Sequence, residues 1–386
     1  MPRLALLLSL LLLAALPAAA GAKVRKGPSG GAFYTAPRTQ AGGVHGSLIW
    51  ARKLTGQAAL KGGAGNRLLL YRSRGLTGKA TAVSGTLAVP KGRAPKGGWP
   101  LISWAHGTTG IADACAPSRG GGSGPPLLER WLKAGYAVVR TDYEGLGTPG
   151  EHPYLIGRSE GASVLDAARA ARKLDKRIGK RFVIAGHSQG GQAALWAASM
   201  APKYASGLKL RGTVAFAPVS HLAEQSGALP GFTAPSPLSG LVALILRGVD
   251  IARPELGVPL ALSDAAAPLY PRTLTECIGT LVGPGSFGAL APASLLRQGI
   301  DTGPATAALA QLDDPEDLRI RTPVRVQQGT ADNAVFKVFT DPLVADYRKR
   351  GTPVTYTTYE GVDHGGIVTN ARSAADATKY IRKRFG

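Results

Sequence analysis

The chain has 386 residues, 44% hydrophobic and 18% charged, a balance too apolar for a disordered polypeptide, so it folds around a core. Its 46 Lys and Arg against 24 Asp and Glu give a net charge of +22, but aromatics are only 6% and the basic residues are scattered. That argues against a nucleic-acid partner and suits adsorption to anionic cell walls or lipid. Two cysteines and 6 singly placed histidines offer no clustered ligand set, so no metal is expected.

In chain order, Arg3 precedes an apolar run over residues 4–16 and the small residues Ala18, Ala19, Ala20, Gly21 and Ala22, the three regions of a secretory signal peptide at 1–22. The run is short for a bilayer, and its only rival, residues 238–251, contains Arg247 and Asp250. Export in turn favours one Cys115–Cys277 disulfide over two buried thiols. Residues 23–63, rich in Gly, Lys and Arg, read as an extended N-terminal arm. Strands are predicted at 67–72 and 81–89, followed by short apolar runs at 101–104, 136–139 and 182–185, with helix-like stretches at 126–133 and 159–174. Such alternation predicts an α/β fold with a mostly parallel central sheet and helices on both faces. The pattern continues at 213–216, breaks, and resumes at 323–326 and 354–357. The break is too long for an ordinary connection and predicts a mostly helical inserted cap at 221–321, dividing the core into 64–220 and 322–386.

Gly186-His187-Ser188-Gln189-Gly190 follows the apolar run 182–185 and precedes a helix-like stretch, the context that a G-x-S-x-G elbow requires. A serine hydroxyl needs a neighbouring base, and on this fold the order is Ser, acid, His. Only His221 and His364 follow Ser188, and only His364 lies beyond the resumed sheet, in the loop after the last predicted strand. Asp332 stands at the end of the preceding strand and is preferred as the acid over Asp363 beside the histidine. An oxyanion hole requires two backbone N–H groups, one from the residue after the nucleophile, here Gln189, and one from the loop after the 101–104 strand, where Thr108 is the first choice and Thr109 the second. His106 is read as bracing that loop. In the cap, Leu241 and Ile245 belong to an apolar cluster that either docks the cap or receives an acyl chain.

Together, His106-Gly107-Thr108-Thr109-Gly110, Asp142-Tyr143-Glu144-Gly145-Leu146-Gly147, the elbow with Gly191, and Gly329-Thr330-Ala331-Asp332 resemble the secretory lipase family, the lipase A-like secreted α/β-hydrolases. The resemblance covers the chain from about residue 35 onward, although in the cap it extends only to length and hydrophobicity. It implies a secreted, cofactor-free carboxylic ester hydrolase, a lipase or esterase acting on ester or lipid molecules, with a large cap between the sixth and seventh strands. Asp142, Tyr143 and Glu144 fit a bracing role. Two alternatives stay open: a serine peptidase or amidase on the same fold, and a surface-binding protein with a vestigial site. Acyl preference and oligomeric state have no signature in the sequence.

Overall fold

A computed structural model describes residues 24–37, 42–120 and 124–386; the expected signal peptide lies outside them. The predicted strands belong to one nine-stranded sheet ordered β1-β2-β3-β5-β4-β6-β7-β8-β9. β1 (Leu48–Lys53), β2 (Gly65–Arg74) and β3 (Ala80–Val89) form an antiparallel meander. β3 also pairs antiparallel with β5 (Ala137–Thr141). The rest of the sheet is parallel: β4 (Trp99–Ala105), β6 (Ile178–His187), β7 (Lys209–Phe216), β8 (Val324–Gly329) and β9 (Val354–Tyr359).

The central strands are apolar without interruption because both faces are covered. Ile102, Val138, Val183 and Val214 pack on one side with α1 (Leu127–Lys133) and the C-terminal helix α8 (Ala371–Phe385). Leu101, Val139, Phe182 and Ile184 pack on the other with α2 (Gly157–Leu174) and α3 (Gln189–Tyr204). Successive residues thus point to opposite faces, and each face needs its own helices.

Between β7 and β8 lie α4 (Leu222–Ala228), α5 (Leu238–Ala252), α6 (Gly303–Leu312) and shorter turns at Val258–Ala261 and Ile278–Leu281. After β8, α7 (Lys337–Lys349) leads to β9. Helix α5 has two apolar faces: Ala243, Leu244 and Val249 are buried against the core, while Leu238, Leu241, Val242, Ile245 and Leu246 face a cavity.

The N-terminal region corrects the reading of residues 23–63 as an arm without regular structure. β1 pairs with β2, and Phe33 and Tyr34, from a short helical turn at Gly30–Tyr34, are buried with Ile49 and Trp50. The sheet therefore begins before residue 64, and the insertion falls between its seventh and eighth strands. An edge strand pairs on one side only and needs a short apolar face, a signal that the surrounding Gly and basic residues dilute. Among the described residues, no helix is long and apolar enough to cross a membrane.

Candidate active site

β4 and β6 are neighbours at the sheet centre, so the loops leaving their C-terminal ends meet. The turn from β6 into α3 holds Ser188 at φ 58° and ψ −122°, outside the usual regions for an L-residue. Such a conformation costs about 1–3 kcal/mol and persists because its surroundings enforce it. A Cβ on Gly186 would collide with the Gly190 carbonyl, and one on Gly190 with the Ala105 carbonyl. The Ser188 N–H donates to the Phe216 carbonyl at 2.9 Å. Gln189 opens α3, where helix geometry leaves its N–H without an intrahelical acceptor.

His364 lies in the loop after β9, and its Nδ1 is 2.8 Å from Asp332 Oδ2, beyond the end of β8. Asp332 Oδ1 accepts from the N–H groups of Ala334 (3.0 Å) and Val335 (2.8 Å), and Oδ2 also accepts from Gln328 Nε2 at 3.1 Å. Burial raises the Asp332 carboxyl, but His364 and these N–H donors outweigh it and hold the group below the usual carboxylate range. The favoured acid and histidine are thus brought together, while Asp363 accepts from the N–H of Gly366. Ser188 Oγ makes no hydrogen bond among the described residues; it shares the cavity wall with His364. Contacts of this kind often tighten only when substrate binds.

His187 has a task that the sequence did not disclose. Its Nε2 lies 2.9 Å from the His364 carbonyl, and the two ring centroids are 4.6 Å apart with the planes tilted by 38°. Burial, and then the proximity of His364, push His187 down to about 3, so a neutral ring donates this bond and ties the histidine loop to the elbow.

Thr108 and Thr109 follow β4, and Gly107 runs beside the elbow, where a Cβ would stand 3.1 Å from His187 Nδ1 and 3.5 Å from Ser188 Cβ. Thr108 Oγ1 lies 2.5 Å from the hydroxyl of Tyr154, a residue without a motif to mark it. His106 is buried, its Nδ1 2.7 Å from the Gly107 carbonyl, while Tyr143 donates to the His106 carbonyl at 2.9 Å. The cap fastens this loop from outside. Cys115 and Cys277 form a disulfide, Gly110 forms a β-bridge with Cys277, and the Ile278 N–H donates to the Thr109 carbonyl at 3.0 Å.

Ser188, His364, Thr108, Leu241 and Ile245 all line one cavity of about 1170 Å³. Its roof is the apolar face of α5, its floor the elbow and loops. Elsewhere, Glu224, Asp314 and Glu316 place one oxygen each within 4.8 Å of one another, but Asp314 is already engaged by the N–H groups of Leu222 (2.6 Å) and Ala223 (3.0 Å).

A mostly parallel sheet with a serine on a strained strand-to-helix turn, an Asp–His pair beyond the following strands and a helical insertion define the α/β-hydrolase fold. The solved structures agree: Candida antarctica lipase A in its closed state superposes with TM-score 0.75 at 20% identity, over 91% of this chain and 85% of that one. The rice cell wall degrading esterase LipA from Xanthomonas oryzae superposes with TM-score 0.73 at 18% identity, over 89% and 100%. Residues 125–278 match the model of the secretory lipase family. Lipase 1 of Candida albicans is 29% identical over 273 residues, 64% of this chain and 55% of that protein. A protein of Mycobacterium tuberculosis named as a probable inactive lipase is 29% identical over 246 residues, 59% and 53%. The chain spans about half the length of these curated relatives.

Proposed function

We propose that the protein is a secreted carboxylic ester hydrolase of the lipase or esterase type. The observation that carries the reading is the Asp332–His364 pair at 2.8 Å, set on the same cavity as Ser188, which stands on a strained backbone. In this reading Ser188 Oγ attacks the ester carbonyl and His364 Nε2 takes its proton. Asp332 holds the tautomer with Nε2 free and stabilises the imidazolium. The backbone N–H groups of Gln189 and Thr108 receive the oxyanion. His364 then protonates the departing alkoxide, and water, activated by the same base, hydrolyses the acyl-enzyme and restores Ser188. Gly186, His187 and Gly190 keep the elbow and the histidine loop in register.

The roof supports a lipid-like substrate. Leu241 and Ile245 give an acyl chain an apolar wall, worth roughly 0.8 kcal/mol for each methylene removed from water. Residues 1–22 would direct export, and recovery from the medium with a mature N-terminus near Ala22 would check that. Lipase 1 and the other lipase-named relatives agree with this assignment. A vestigial site is the rival, favoured by the relative named as probably inactive and by the absence of a Ser188–His364 hydrogen bond among the described residues. The test is turnover of p-nitrophenyl esters of rising chain length, with a triglyceride emulsion and a peptide amide alongside. Ester turnover lost in Ser188→Ala supports the hydrolase, whereas amide turnover exceeding ester turnover indicates a peptidase and no turnover at all a vestigial site.

A further inference from the structure

The side chain of Gln189 is engaged away from the reaction. Its Nε2 lies 2.7 Å from Glu160 Oε1 and 3.0 Å from His152 Nε2. His152 is fully buried and pushed down to about 3 by that burial, so its ring is neutral. Its Nδ1 is 2.8 Å from the Glu144 carbonyl, which can only accept, so Nδ1 carries the proton and Nε2 accepts from Gln189. Both amide hydrogens of Gln189 are therefore committed, one to an imidazole and one to a carboxyl. This assignment fixes which way the amide is turned.

Glu160 stands in the first turn of α2 and is wholly buried. Its Oε1 also accepts from the Leu155 N–H at 2.8 Å, while Oε2 has no partner among the described residues. The titratable groups that face it are His152 on the preceding loop, Tyr143 and Tyr154 from the segment before α2, and Asp313 at the end of the cap. None of these is a cation: His152 is neutral, both tyrosines are raised by burial, and burial raises Asp313 as well. Burial pushes Glu160 up to about 8, with the Gln189 and Leu155 donors only partly offsetting it. At neutral pH the carboxyl is thus mainly uncharged.

We propose that Glu160 is a positioning residue for the hydrolysis, holding Gln189, and with it the N–H that receives the oxyanion. The inference rests on the hydrolase reading above. Its consequence is specific. Ionised Glu160 would set a negative charge behind an N–H that has to meet a developing negative charge, in an interior where such fields are weakly screened. A neutral ester in the ground state is indifferent to that field, so the transition state alone suffers.

The experiment measures kcat and KM of the purified protein on p-nitrophenyl butyrate from about pH 6 to about pH 10, corrected for spontaneous hydrolysis. Wild-type kcat should fall about tenfold across the range around pH 8 with KM within about twofold. Glu160→Gln should remove that fall, and Asp313→Asn should retain it. An alkaline fall that persists in Glu160→Gln, or one expressed in KM, overturns the proposal. Should Glu160→Gln fail to fold, Gln189→Leu breaks the same contact from the other side and keeps the backbone N–H. It should lower kcat at about pH 6.5 by about tenfold or more with KM little changed, and wild-type kcat there overturns the proposal. If the wild type hydrolyses no ester, the hydrolase reading falls and the positioning role with it; if turnover depends on Ser188 but the alkaline profile ignores Glu160, only the positioning role falls.

Discussion

The floor and the roof of the cavity are held by different forces. On the floor, hydrogen bonds at named distances fix the groups around Ser188: Asp332 on His364, His187 on the His364 carbonyl, Glu160 and His152 on Gln189. On the roof, the α5 residues facing the cavity are held by apolar packing, and the cap is fastened through the Cys115–Cys277 bridge to the segment that follows β4. Hydrogen bonding supplies direction, which bond-making requires; apolar packing supplies area, which binding an alkyl chain requires. In the proposed reading, that division gives the chemistry to the floor and chain-length selection to the roof.

The sharpest way to break that division is Ser188→Ala. It should lower ester turnover to the level that an oxyanion hole and binding alone support, about 10³–10⁴ over water, with melting unchanged. Stopped turnover assays with thermal melts check this. Next in size, Leu241→Asp or Ile245→Asp should depress turnover of long-chain esters roughly ten- to hundredfold while acetate and butyrate change little. Equal loss at all chain lengths with a lowered Tm would assign both residues to packing.

The bridge joins the two regions, so its removal tests their coupling. Cys115→Ser with Cys277→Ser opens a loop of 162 residues, and losing a native disulfide typically costs about 2–5 kcal/mol. Denaturant unfolding should show that loss. Because Thr109 and Gly110 are bonded to the same segment of the cap, kcat on short esters should fall too, in contrast to the α5 substitutions.

The smallest effect is on stability against pH. Burial pushes Glu160 up to about 8, and burial with neighbouring carboxylates pushes Asp314 and Glu316 up to about 7. The folded form keeps protons that the unfolded chain releases, so the stabilisation from these groups is full below their ordinary range and is lost as pH rises through about 7–8. His152 and His187, pushed down to about 3, act with the opposite sign: their contribution is present above the ordinary histidine range and lost as pH falls. The two sets oppose each other in mild acid, and above about pH 6.5 only the carboxyls act. Tm should therefore fall by a few degrees between about pH 6.5 and about pH 8.5, read by scanning calorimetry, and a rising Tm there would contradict the assigned burial.

The parts legible in the sequence were those in which local pattern and position coincide. The parallel strands announced themselves as uninterrupted apolar runs, and the elbow by glycines that no side chain could replace. β1 was hidden because Ile49 and Trp50 stand among Gly, Lys and Arg, and their burial depends on Phe33 and Tyr34, which come from a separate turn. Glu160 was hidden for a related reason. Beside Arg158 and Ser159 it resembles a solvated helix acid, and its burial arises only where Gln189 and the end of the cap close over it. Tyr154 and His152 carry no motif, and their partners lie 46 and 37 residues away. Side-chain pairings across such separations leave no periodicity to read.

The central claim is that Ser188 attacks carbonyl-like centres with His364 as its base. Incubation with a fluorophosphonate followed by peptide mass spectrometry measures this directly. The account predicts a single adduct on the peptide containing Ser188, absent from Ser188→Ala and formed far more slowly in His364→Ala. An unlabelled wild type, or labelling that persists in Ser188→Ala, would contradict it.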